Sequence, residues 1–135
     1  MIHPDLPIRA LAIKQPWASA IIHLGKDIEN REWPTMMRGR ICIHASKAYD
    51  PVDAADFHDL VYARNIDMTG KPNLYFPEEP RGGIIGVVEI ADCVTRHNSD
   101  WFVGRYGFVL RNARPVEFIP VRGALGFFDW RRSVL

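Results

Sequence analysis

The segment Gly83–Val94, Gly-Ile-Ile-Gly-Val-Val-Glu-Ile-Ala-Asp-Cys-Val, constrains this chain more than any other stretch. It is an apolar, β-branched run with glycines inside it. Such a run reads as a strand, and internal glycines mark a bend or bulge, as at a barrel corner. After it come only short strand-like runs, Tyr106–Leu110, Val116–Phe118 and Leu125–Trp130, at the spacing of a meander. Ahead of it, Ile8–Ile13 and Arg40–Ala45 read as strands, and Lys26–Trp33 as a strand with a polar face before Pro34. Two helices complete the pattern. A short apolar one begins at Pro16 and stops at Gly25, a good terminator. The other runs over Pro51–Arg64, with Asp50 as N-cap and Val52, Ala55, Phe57, Leu60 and Tyr62 turned inward. Asn65–Pro80 reads as a long loop. Helices do not alternate with strands in the second half, which argues against parallel βαβ winding. The expected fold is therefore α+β, a small antiparallel β-barrel flanked by helices, in one domain over residues 1–135.

Composition narrows the function. The chain has 135 residues, 47% of them hydrophobic, and a formal net charge of +1, so it can bury a core and carries no strongly basic coat. A local basic patch remains compatible with that total, because steering depends on distribution. Arg38, Arg40, Arg96, Arg105, Arg122, Arg131 and Arg132 are scattered along the chain, and such scatter ordinarily serves solubility. Cys42 and Cys93 both fall in apolar β-like runs, which suits two free thiols in a reducing compartment better than a bridge. No Cys/His spacing suggests zinc. No apolar signal core or membrane-length run is present, so the chain reads as cytoplasmic.

The chemistry concentrates between Ile13 and Trp33. Lys14, Gln15, Trp17, Lys26, Glu29, Asn30, Arg31 and Trp33 flank one short helix, and both flanks of a helix can converge on one cleft. Lys14 suits a phosphate and Gln15 a base or carbonyl edge. Trp17 serves either as core or as a stacking platform. Glu29 and Arg31 share one face of a strand, and a Lys26–Glu29 couple would exchange protons if burial brought their pKa values together. Asn30 is either a tie to turn backbone or an amide reader. At the end of the following strand, Ser46 and Lys47 suit a phosphate, whereas His44 reads as a satisfied structural histidine. Arg105 and Tyr106 mix cation and aromatic, as single-stranded nucleic-acid sites do.

Ile-Lys-Gln-Pro-Trp-Ala followed by Gly-Lys-Asp-Ile-Glu-Asn-Arg-Glu-Trp resembles the signature of the ASCH domain family, a branch of the PUA-like superfamily. Weaker pieces follow in the family's order: Ile41–Lys47, Gly83–Asp92, Gly104–Phe108 and Gly123–Phe128. The resemblance implies a PUA-like barrel with a cleft between barrel and helices, holding RNA or a nucleotide. It also implies two enzymatic alternatives. One is hydrolysis of acylated cytidine, for which the family uses a lysine, a threonine three residues later and a distant acid. The lysine falls on Lys26, the threonine position is Glu29, and Glu89 or Asp100 stands for the acid. The other is metal-assisted cleavage of single-stranded RNA, with Mg2+ held among Glu29, Glu32, Asp50 and Asp100. The leading expectation is a binding module without a cofactor, with catalysis by Lys26 and Glu29 as the alternative and docking within a larger complex as a third reading. Its ligands would be RNA, a nucleotide or a nucleoside, with no membrane partner. Family likeness fixes fold better than reaction.

Overall fold

The structure is a computed structural model and describes residues 5–72, 74–75 and 77–135. Positions 73 and 76, within the long loop expected over Asn65–Pro80, lie outside the described residues. The strands are β1 (Arg9–Ile13), β2 (Ile28–Arg31), β3 (Gly39–Ala45), β4 (Gly83–Val94), β5 (Tyr106–Pro120) and β6 (Phe127–Asp129); the helices are α1 (Trp17–His23) and α2 (Pro51–Ala63). They form one sheet in the order β2-β5-β4-β3-β1-β6. Tyr106–Leu110 and Val116–Phe118, expected as separate strands, are parts of the single strand β5.

One pairing departs from the antiparallel expectation. β1 runs parallel to β3, with Ala10 opposite Cys42 and Ile13 opposite Ala45. Parallel neighbours need a long crossover, and the chain supplies one through α1 and β2. The sequence hides this because β2 joins β5 at the far edge rather than its chain neighbours. The sheet is mixed and curled into a half-barrel. Its curl is visible in side chains: Phe108 of β5 and Phe127 of β6 stack with centroids 6.2 Å apart, and Trp33 meets both edge-on. These strands are not hydrogen-bonded neighbours, so aromatic packing closes what the ladder leaves open.

The glycines of β4 do what their position suggested. Registers shift between Ile84 and Gly86 of β4 against β5 and between Ile43 and His44 of β3 against β4. A Cβ on Gly86 would lie 2.3 Å from Ile22 Cδ1 and 2.7 Å from the carbonyl oxygen of Arg114. Gly86 thus lets α1 and β5 approach β4 together. Gly86→Ala is expected to cost about 1–3 kcal/mol through overpacking, read as a shift in denaturant midpoint; an unshifted midpoint would show that the helix can lift without loss.

The sheet separates two cores. α1 packs Ile21 and Ile22 on the face carrying Ile41, Ile43, Val88, Ile90, Phe108 and Leu110. The other face carries Ala10, Cys42, Ile84 and Val87 and is covered by Leu6 and the buried Trp130. α2 is anchored far more narrowly than its sequence suggested. Asp50 caps it by accepting from Val52 N, and of its residues only Phe57 is buried. Val52 and Tyr62 are exposed, and Ala55 faces solvent as well, because Phe57, Leu60 and Val61 set the inward stripe.

His44 is buried, with Nε2 2.7 Å from the carbonyl oxygen of Val121. Its Nδ1 has no hydrogen-bond partner among the described residues. Burial lowers its pKa below the ordinary 6.5. The unfolded chain therefore takes up this proton at a higher pH than the folded one. Stability carried by neutral His44 is full above pH 6.5 and is lost as pH falls toward the lowered folded value. Melting temperature should fall between pH 7.5 and 5.5, on the order of the histidine range, and His44→Gln should flatten that slope. Equal slopes would show that other groups govern it.

Candidate functional site at the barrel seam

α1 ends at Leu24, and Gly25, at φ +71°, turns the chain back into β2. This places Lys26 beneath the helix. Its ammonium donates to the carbonyl oxygen of Ile28 and lies 3.4 Å from Glu29 Oε1. Glu29 Oε2 accepts from Arg31 Nε at 3.0 Å. Arg31 Nη2 then donates to the carbonyl oxygen of Ala12 on β1 at 2.8 Å. β2 and β1 lie far apart in the hydrogen-bonded order, so Arg31 bridges the seam of the half-barrel. One carboxylate is held between two cations, which leaves the chain of charges with a surplus of one positive charge.

Burial grades along this chain. The side chains of Lys26 and Glu29 are 4% and 9% exposed, and that of Arg31 is 21% exposed. Desolvation pushes the Lys26 pKa below its ordinary value, against the opposing pull of Glu29. Two indoles flank the ions. Trp17 lies 6.0 Å from the Lys26 ammonium, and Trp33 lies 5.6 Å from the Arg31 guanidinium. Trp17 also meets Phe57 edge-on, which ties α1 to α2. Trp33 is partly open to solvent. In the ladder, Arg31 is opposite Tyr106 and Glu29 opposite Phe108, so Tyr106 belongs to the same face. Arg105 lies over the Tyr106 ring at 5.4 Å.

Lys26, Glu29, Arg31 and Trp17 are thus brought together, with Tyr106 and Arg105 beside them. The other expected residues sit elsewhere. Gln15 is buried, and its amide is occupied: Oε1 accepts from Ser19 N at 2.9 Å, while Nε2 donates to Ser19 Oγ and to the Pro80 carbonyl oxygen, each at 2.7 Å. It caps α1 and ties down the long loop, so the base-reading role expected of it is not what its contacts describe. Lys14 is exposed and reaches Asp50 and Asp53 at the start of α2. Asn30 donates to the Trp101 carbonyl oxygen and accepts from Val103 N, each at 3.0 Å, which makes it the tie to turn backbone. Ser46 and Lys47 lie past the end of β3, where the Lys47 carbonyl oxygen accepts from Arg81. The acidic residues considered for Mg2+ are dispersed: Glu29 lies in the seam, Asp50 caps α2, and Asp100 lies 3.3 Å from Arg64. No group of three or more potential ligands is poised for a metal among the described residues.

Sequence reasoning overlooked the seam itself. Trp33, Phe108, Phe127 and the Ala12 carbonyl oxygen all belong to it. Trp33 was visible as part of the motif, but nothing in the order of residues places β1 opposite β2. A model of the ASCH domain matches residues 11–112. The chain belongs to the ASCH domain family. The match covers α1, β2 with the Lys26–Glu29–Arg31 chain and the first part of β5, and the mixed half-barrel with its two helices is the PUA-like α+β fold of this family. The chain is also 31% identical over 90 residues to activating signal cointegrator 1 of Homo sapiens, and to the same protein of Mus musculus. That alignment covers 64% of this chain but only 14% of either relative, so the chain spans a small part of their length. Among the described residues, no helix is long and apolar enough to cross a membrane.

Proposed function

We propose that this ASCH domain binds single-stranded RNA or a nucleotide at the barrel seam. One observation carries the reading: the surplus cation of the Lys26–Glu29–Arg31 chain, placed between two indoles. Burying charge is costly unless it is matched, and an anionic ligand matches the surplus. An indole beside a guanidinium presents a stacking plane next to a phosphate-binding fork. In this reading Trp33 stacks on a base, Arg31 faces phosphate, and Arg105 with Tyr106 extends the contact along the strand. Lys14 and Lys47 act as outlying charges. The relatives are named as cointegrators, and a recognition module inside a much longer protein is the role their coverage suggests for such a domain. Cys42 and Cys93 are free, which suits the cytoplasm.

Fluorescence anisotropy with a labelled single-stranded RNA tests this. Trp33→Leu keeps apolar bulk against Phe108 and Phe127 but removes the large aromatic face. It is expected to weaken binding by about 1–3 kcal/mol, or roughly 5- to 150-fold. Affinity equal to that of the unaltered domain would contradict the reading.

The lowered Lys26 pKa favours one second reading. A lysine driven toward neutrality beside a carboxylate is what a proton-transfer couple requires. The position where the family's amidohydrolases carry threonine is here Glu29, which offers no hydroxyl nucleophile. Hydrolysis of acylated cytidine that disappears in Lys26→Met would establish the couple, and persistence of the hydrolysis in that variant would remove it.

A further inference from the structure

The opposite face of the sheet carries a feature that the seam does not use. In the ladder, Arg40 of β3 is opposite Glu89 of β4, and Glu89 is opposite Arg111 of β5. One row inward, Cys42 is opposite Val87, and Val87 is opposite Arg114. Directly paired residues project to the same side. Cys42 and Val87 belong to the core covered by Trp130, so both rows lie on the face turned away from α1. Arg131, from the terminal turn over Trp130–Ser133, is half-buried and donates from Nη2 to the carbonyl oxygen of Leu6 at 2.8 Å. The guanidiniums of Arg131, Arg40 and Arg114 all act on the Cys42 thiol, which burial nevertheless pushes up to about 12. Arg40 and Arg114, far apart in sequence and both exposed, are therefore brought to one face of the sheet, beside the Glu89–Arg111 pair.

Arg111 is paired with Glu89, whereas the charges of Arg40 and Arg114 are not matched in this way. Glu89 is the carboxylate within these two rows. It is occupied by Arg111 at 2.8 Å and by Asn112 at 3.1 Å. Arg40 and Arg114 are exposed and have no ion-pair partner among the described residues. Arg40 and Arg111 stand two strand spacings apart, about 10 Å. Guanidinium forks match phosphate oxygens two at a time.

We propose that this arginine face is a second nucleic-acid contact, a track for the sugar-phosphate backbone of a strand longer than the seam alone can hold. It rests on the reading of the domain as a nucleic-acid binder and adds to it that the ligand is a polynucleotide rather than a free nucleotide. Arg114 and Arg131 lie beyond residue 112, where the match to the family model ends.

The experiment measures anisotropy of a labelled 20-nucleotide single-stranded RNA against salt. It compares the unaltered chain, Trp33→Leu, and the double variant Arg40→Gln with Arg114→Gln. Each single-strand phosphate contact contributes about 0.7 to the slope of log K against log salt. The double variant should therefore lose about 1.4 from that slope, while the thermal shift produced by a mononucleotide stays unchanged. An unchanged slope overturns the arginine track and leaves the seam untouched. A slope loss in the double variant with full binding by Trp33→Leu keeps the track and overturns the seam. Competition by poly-glutamate as strong as by RNA of equal charge overturns the track as a nucleic-acid surface and points to an acidic protein. No RNA binding by the unaltered chain overturns both.

Discussion

Glu29→Ala is expected to destabilise the domain by about 3–5 kcal/mol, because it leaves two cations facing each other in a nearly dry site. The sign of the effect follows from counting charge. Lys26 and Arg31 share one carboxylate, so removing Glu29 raises the buried charge and removing Lys26 neutralises it. Lys26→Met keeps a chain of similar length, leaves the Glu29–Arg31 pair intact at 3.0 Å, and removes an ammonium whose pKa burial already lowers. Its expected cost is under about 1.5 kcal/mol. Guanidinium chloride unfolding of both variants reads the difference directly. Equal losses would mean that Lys26 is held by packing and by the Ile28 carbonyl oxygen rather than by the carboxylate.

Trp130→Ala should cost a similar amount, about 3–5 kcal/mol, through the cavity left by a fully buried indole. Trp130 fills the core beneath Ala10, Cys42, Val87 and Val121, and its N–H donates to the Pro7 carbonyl oxygen at 2.6 Å. Asp129 caps the turn that carries it by accepting from Arg131 N. Loss of the indole frees both the N-terminal strand entry and the C-terminal turn. Thermal unfolding should drop by roughly 10–18 °C, at about 3.5 °C for each kcal/mol in a 135-residue domain. A drop of a few degrees would show that the terminal turn is dispensable and that the half-barrel is held from the α1 side alone. Because Arg131 rides on this turn, the same variant should also disturb the arginine face.

What sequence reveals and what it conceals divides along local and non-local lines. Asp50 before Pro51 and Gly25 after the first helix are local devices, and each stands where its chemistry predicts, whereas Pro16, expected in the first helical turn, is the N-cap residue just outside it. The strand Gly83–Val94 was legible to the residue because its β-branched run is long. The parallel β1–β3 pair was not, since strand direction depends on where β2 goes, and β2 pairs with a strand that begins 75 residues after its own last residue, from Arg31 to Tyr106. The motif from Lys26 to Arg31 identified the charged cluster, because i, i+3 and i, i+2 spacings are short enough to bring those groups together by chain geometry alone. Gln15 shows the reverse. Its position beside Pro16 looked like a cleft-facing reader, yet its amide is occupied by Ser19 and by Pro80, a loop residue 65 positions away. Inward contacts of α2 were overcounted because a 13-residue helix with one buried aromatic carries little periodic signal. The arginine face is mostly non-local: Arg40 and Arg114 meet through the β3–β4–β5 ladder, and Arg131 comes from the terminal turn.

The central claim is that ligand enters at the seam bridged by Arg31, between Trp17 and Trp33. Two-dimensional NMR of the domain titrated with a short single-stranded RNA tests it most directly. The account predicts that the Trp33 indole N–H and the Arg31 Nε–H resonances shift together, saturably and at the same midpoint. Shifts confined to other regions, with those two resonances unmoved at saturation, would contradict it.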